Sequence, residues 1–158
     1  MEAYALARAI HVAAIVIWIG GVAFVTTVLL PTIERRSDPG EKLDLFEQLE
    51  NSFARQARWT TLLAGASGFW LVLTLDAWGR FTDAHYWWMH MMVLVWVAFT
   101  LMLFVLEPLW LHGWFHARAV RDPAGTFALV KKLHRLLLAI SVLTVSAAAA
   151  GSHGWGIG

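Results

Sequence analysis

Cysteine is absent from the 158-residue chain. Disulfides, thiolate zinc centres, iron–sulfur clusters and covalent c-type haem attachment are thereby excluded. Charge is scarce too: Asp, Glu, Lys and Arg make up 15% of residues, against about a quarter in soluble domains. Only 4 prolines interrupt the sequence, so long helices meet few breaks. The formal net charge of +1 says nothing about partners, and no nucleic acid is expected among them. The first residues lack a signal peptide's basic start: Glu2 stands there, and the apolar run that follows is too long for a cleavable signal.

What is present is apolar. Hydrophobic residues are 59% of the chain, with 10 tryptophans, and the mean hydropathy is +0.61. That composition predicts an integral membrane protein of one domain whose first partner is the lipid bilayer, its tryptophans anchoring two interfaces. Four segments approach the roughly 20 apolar residues that a spanning helix needs: about 10–30, ending at Pro31; 59–78; 86–106, ending at Glu107 and Pro108; and 136–155. The fold expected is an all-α bundle of four transmembrane helices spanning residues 1–158.

Between the first two spans, "SDPGEKLDLFEQLENSF" has the pattern of a short amphipathic helix. Asp38 suits the N-cap, Pro39 the first helical position, and Glu41 completes a capping-box pattern. Leu43, Phe46, Glu50 and Phe53 fall near one face. This helix is expected to lie at the interface or to extend the second span; a solvated connector is the plainer reading.

Orientation follows from the basic residues. Arg35, Arg36, Lys42, Arg55 and Arg58 lie in or beside the first long loop, and Arg118, Arg121, Lys131, Lys132 and Arg135 in or beside the second. Of the 12 Lys and Arg residues, only Arg8 and Arg80 fall on the other side. The positive-inside rule puts both long loops in the cytoplasm and both termini in the periplasm of a bacterial inner membrane.

With that topology His11, His90 and His153 come to a similar depth near the outer face from three different helices, and His85 sits just above them in the short outer loop. Imidazoles inside spans are costly unless their nitrogens are satisfied, so a ligand cluster is expected. His112, His116 and His134 gather at the cytoplasmic end. They read as polar groups of an interfacial helix or, with His134, as a second site. His90 and His112 are 22 residues apart, about 33 Å along a continuous helix.

Three cofactors compete for the outer histidines. Zinc wants an accessible pocket with a helping carboxylate, and Asp76 and Asp83 lie only in the outer loop or at its edge. Copper(I) prefers soft ligands, and Met89, Met91 and Met92 flank His90, although successive helical residues diverge by about 100° and methionine is ordinary packing material. Haem b fits more of the features: axial ligands from facing helices and cations for its propionates. His11 and His90 are the expected ligands, with His153 as a third candidate. Trp18 and Trp87 lie roughly on the faces of His11 and His90, and Arg8 and Arg80 are the outer cations. Gly20, Gly21 and "AGASG" at 64–68 permit close helix approach, which packing alone also explains.

The sequence resembles the copper-resistance-D-like (CopD-like) membrane proteins and, more distantly, the HemJ-type protoporphyrinogen oxidases. The resemblance runs through "LARAIHVAAIVIWIGGVAF", Pro31, "RWTTLLAGASGFW", "HMM", Pro108 and "HRLL", and covers essentially the whole chain. The first family implies copper handling at the outer face of an inner membrane. The second implies a b-haem in a four-helix bundle and oxidation of a porphyrinogen, with its first-span histidine at His11. A lysine that the second family carries early in span three has no counterpart, since His90 and Met91 stand there. The fuller copper-resistance proteins are longer than this chain.

The expected function is therefore a b-type haem protein of the inner membrane, acting in electron transfer or a related oxidation as an oxidoreductase. Its redox partner would be a quinone or a periplasmic electron carrier. Copper binding or transport by the same histidines and neighbouring methionines is the alternative. A structural subunit whose histidines bond only to backbone is a third reading, and a homo-oligomer stays open because glycine faces serve packing within and between chains alike.

Overall fold

The computed structural model describes residues 2–35 and 38–154, except for the side chains at 39, 40, 43, 44, 47, 110–112, 115 and 116. The described residues form helices and turns with no strand. Helix α1 (Glu2–Phe24) passes through π-helical turns (Val25–Leu29) into α2 (Leu30–Glu34), making one continuous rod. Helix α3 is Pro39–Thr74. Two short 3₁₀ turns, Ala77–Thr82 and Ala84–Tyr86, lead to α4 (Trp87–Leu101), which continues through π-helical turns (Met102–Leu111) into α5 (His112–Arg121). Helix α6 is Pro123–Ser152.

Three helical runs among the described residues are long and apolar enough to cross a membrane: Glu2–Glu34, Ala84–Leu109 and Pro123–Ser152. The amphipathic segment after Asp38 is not a separate helix. It runs unbroken into the segment expected as the second span, the more extended of the two arrangements the sequence allowed. Asp38 accepts the first intrahelical bond, from the Lys42 amide, at the start that Asp38 and Pro39 predict. Asp122 begins α6 in the same way: its carboxylate accepts from the Gly125 amide at 2.9 Å, ahead of Pro123.

Both π-helical stretches have a proline at hand, Pro31 just after the first and Pro108 inside the second. A proline ring in a helix meets the carbonyl one turn back and supplies no amide hydrogen; wider turns accommodate that conflict without breaking the rod.

The rods pack antiparallel. His11 meets Ala64, while Gly21 meets Phe53; Thr26 meets His134, and Glu34 pairs with Lys131. Two apolar clusters fill the bundle. One joins Ala14, Trp18, Val22, Ala64, Val95 and Phe99, with the Trp18 and Phe99 rings edge to face at 4.9 Å. The other joins Val25, Leu30, Ile33, Phe46, Phe127 and Val130. Large apolar side chains also line the outside: Trp59 and Leu143 are each 70% exposed, as suits helices whose outer faces meet lipid rather than water.

Candidate functional site

His11 stands in the middle of α1, half-buried against α3. Its Nδ1 is 2.9 Å from the Ala64 carbonyl and 3.2 Å from Ser67 Oγ. The carbonyl can only accept, so Nδ1 carries the proton and the Nε2 lone pair is left for another partner. Room for the ring comes from Gly68, where a Cβ would stand 2.9 Å from His11 Cε1. Ser67 is held in turn by donating to Leu63 O. A histidine oriented by a backbone carbonyl through one nitrogen is the arrangement that metal-ligating imidazoles use.

The other histidines expected near the outer face are placed differently. His90 lies in the first turn of α4, is exposed, and donates from Nε2 to the Phe81 carbonyl at 3.0 Å. Its ring meets the Phe81 ring edge to face at 5.5 Å. His153 caps the end of α6, exposed, with Nδ1 2.8 Å from the Ala149 carbonyl. His85 lies edge to face with Tyr86 in the 3₁₀ turns between α3 and α4, and its backbone amide donates to Asp83. The structure thus directs the rings of His11, His90 and His153 to separate carbonyls. Among the described residues no group of three His, Asp or Glu side chains is arranged to hold a metal ion.

The neighbours expected around the histidines divide likewise. Trp18 is buried in the core against Phe99 rather than beside an open site. Trp87 is exposed. Arg80 lies over the Tyr86 ring, 5.3 Å from its centroid, and Arg8 is exposed on α1 one turn before His11. Met89 is buried while His90 is exposed, so these two neighbours face different ways; Met91 and Met92 are half-buried.

A second locus lies toward the other end of the bundle. A cavity of about 160 Å³ opens between α3, α6 and the π-helical turns, with Val22, Ala57, Phe99, Glu107, His134 and Leu137 in its lining. His134 donates from Nδ1 to the Val130 carbonyl at 3.0 Å, leaving Nε2 as an acceptor. Arg58 bridges α3 to the π-helical turns, donating from Nε to Leu103 O at 3.2 Å and from Nη2 to Glu107 Oε1 at 2.8 Å. In π-helical bonding Leu103 O would accept from the nitrogen of residue 108, and proline has no hydrogen to give. Arg58 supplies the missing donor. The side chains of His112 and His116, expected as companions of His134, lie outside the described residues.

The Arg58 pairing was not anticipated from the sequence, although Arg58 and Glu107 are both charged residues bordering apolar runs and such charges mark functional positions. No protein-family model, curated protein or solved structure matches the chain.

Proposed function

We propose that this chain is a four-span protein of the bacterial inner membrane, related to the CopD-like and HemJ-type proteins, that holds a b-type haem near its periplasmic face and acts in electron transfer or a related oxidation. The observation that carries the reading is the His11 imidazole, anchored through Nδ1–H to Ala64 O with its Nε2 lone pair uncommitted. This donor chemistry fits one axial bond.

His90 and His153 are the candidates for a second axial bond. Each commits one ring nitrogen to a backbone carbonyl. For His90, giving up such a hydrogen bond costs about 0.5–1.5 kcal/mol net, little against an iron–nitrogen bond. His153 keeps its Nε2 available while Nδ1 stays bonded. Arg8, one turn before His11, is suited to a propionate, and Arg80 would serve the same role by leaving Tyr86. When bound, haem supplies one-electron exchange; the chain supplies the ligand, its orientation and a largely apolar surrounding. α3 is taken as the second span, which returns the chain across the bilayer and puts both termini outside.

The copper alternative has less support, because buried Met89 and exposed His90 do not face one site. Purified protein distinguishes the two by its absorption spectrum and metal content. The haem reading predicts a Soret band with split bands on reduction. A colourless protein that carries copper, and takes up no haem when haem is added, would reject it.

A further inference from the structure

Among the described residues, three buried polar atoms find no hydrogen-bond partner: Trp18 Nε1, Thr61 Oγ1 and Ser141 Oγ. Most helical hydroxyls in this protein bond back to a carbonyl one turn earlier, as Thr60, Thr100 and Thr144 do. Thr61 and Ser141 do not, though both side chains are fully buried. An unsatisfied buried polar group costs about 1–3 kcal/mol, and buried water is the usual remedy.

Each of the three residues lies one helical turn beyond a residue that lines the inner cavity. Trp18 is four residues before Val22, Thr61 four after Ala57, and Ser141 four after Leu137, and Val22, Ala57 and Leu137 all line the inner cavity. Residues four apart lie on one face of a helix, one turn of about 5.4 Å apart. Because α1 runs antiparallel to α3 and α6, all three steps lead the same way, from the cavity toward His11. Further along α3 comes Ser67, whose Oγ is 3.2 Å from His11 Nδ1.

We infer that the bundle contains a proton path from the inner cavity to the level of His11. His134 Nε2 receives a proton at the inner end, beside the Arg58–Glu107 pair. Water held by the Trp18 N–H carries it to the hydroxyls of Thr61 and Ser141; each takes a proton on an oxygen lone pair as it releases its own. Water returns it to the outer end beside Ser67 and His11, so one proton enters and one leaves. The path runs through the orphaned groups and water, needs no proton on or off His11 or Ser67, and stands independently of the haem reading.

The test uses the full-length protein in potassium-loaded liposomes with an internal pH dye, where valinomycin sets an inside-negative potential. Acidification should be about tenfold faster than in protein-free liposomes. Thr61→Val and Ser141→Ala should each slow it about tenfold, the effect of raising a barrier by roughly 1.4 kcal/mol. Both variants delete an unpartnered hydroxyl with little change of shape, so their melting temperatures should hold or rise. A functional role is then separable from damage to the fold. Wild-type flux equal to that of protein-free liposomes overturns the path, as do both variants conducting at the wild-type rate.

Discussion

Arg58 Nε donates to the carbonyl of Leu103 at 3.2 Å, across 45 positions of sequence. This bond supplies the donor that Pro108 lacks, and the same guanidinium neutralises Glu107 beside the cavity. One side chain therefore ties α3 to the widened turns of the neighbouring rod.

Arg58→Met should destabilise the bundle by about 1–3 kcal/mol, the cost of leaving a part-buried acceptor unsatisfied. In a Pro108→Ala background the restored amide gives the rod its own donor, and the penalty should shrink. A double-mutant cycle on unfolding in detergent measures the difference. Equal penalties in the two backgrounds would show that Arg58 and Pro108 act separately.

Gly68→Ala should lower haem content severalfold, because its Cβ would stand 2.9 Å from His11 Cε1 and push the ring off Ala64. Gly20→Ala is the control: nothing lies within 4 Å of that position. Haem per protein, measured as the pyridine complex, compares the two. Unequal loss supports a ring held in place by Gly68, while matched values speak against it.

His11→Ala should remove haem while the protein still inserts. His90→Ala or His153→Ala should shift six-coordinate spectra toward five-coordinate ones if that residue takes the second bond. Unchanged spectra in His11→Ala would sink the assignment outright. Retained six-coordination in His90→Ala alone moves the second ligand to His153.

A reporter active only in the periplasm should work when fused after Gly158 and fail when fused near Pro39, since the basic residues concentrate in the two loops read as cytoplasmic. The reverse result inverts the bundle and puts His11 on the cytoplasmic side.

The sequence alone determined that the chain is helical and where α3 begins. Asp38 with Pro39 and Asp122 with Pro123 start helices through local chemistry: a carbonyl or carboxylate accepting from the first turn, and a ring with its φ already helical. Apolar length suggested four spans, and three helical runs among the described residues are long and apolar enough to cross a membrane. The sequence located each histidine along its helix, but not the direction of its ring. His11 lies in the middle of α1 and His90 in the first turn of α4, and helix rotation turns His11 onto Ala64. The 3₁₀ turns between α3 and α4, entered through Asp76 at a left-handed φ of 47°, bring the Phe81 carbonyl to His90. The orphaned hydroxyls of Thr61 and Ser141 and the Arg58–Leu103 bond belong to the same class. Each depends on which faces of distant helices meet, and that is decided by packing across the whole bundle rather than by any local run of residues.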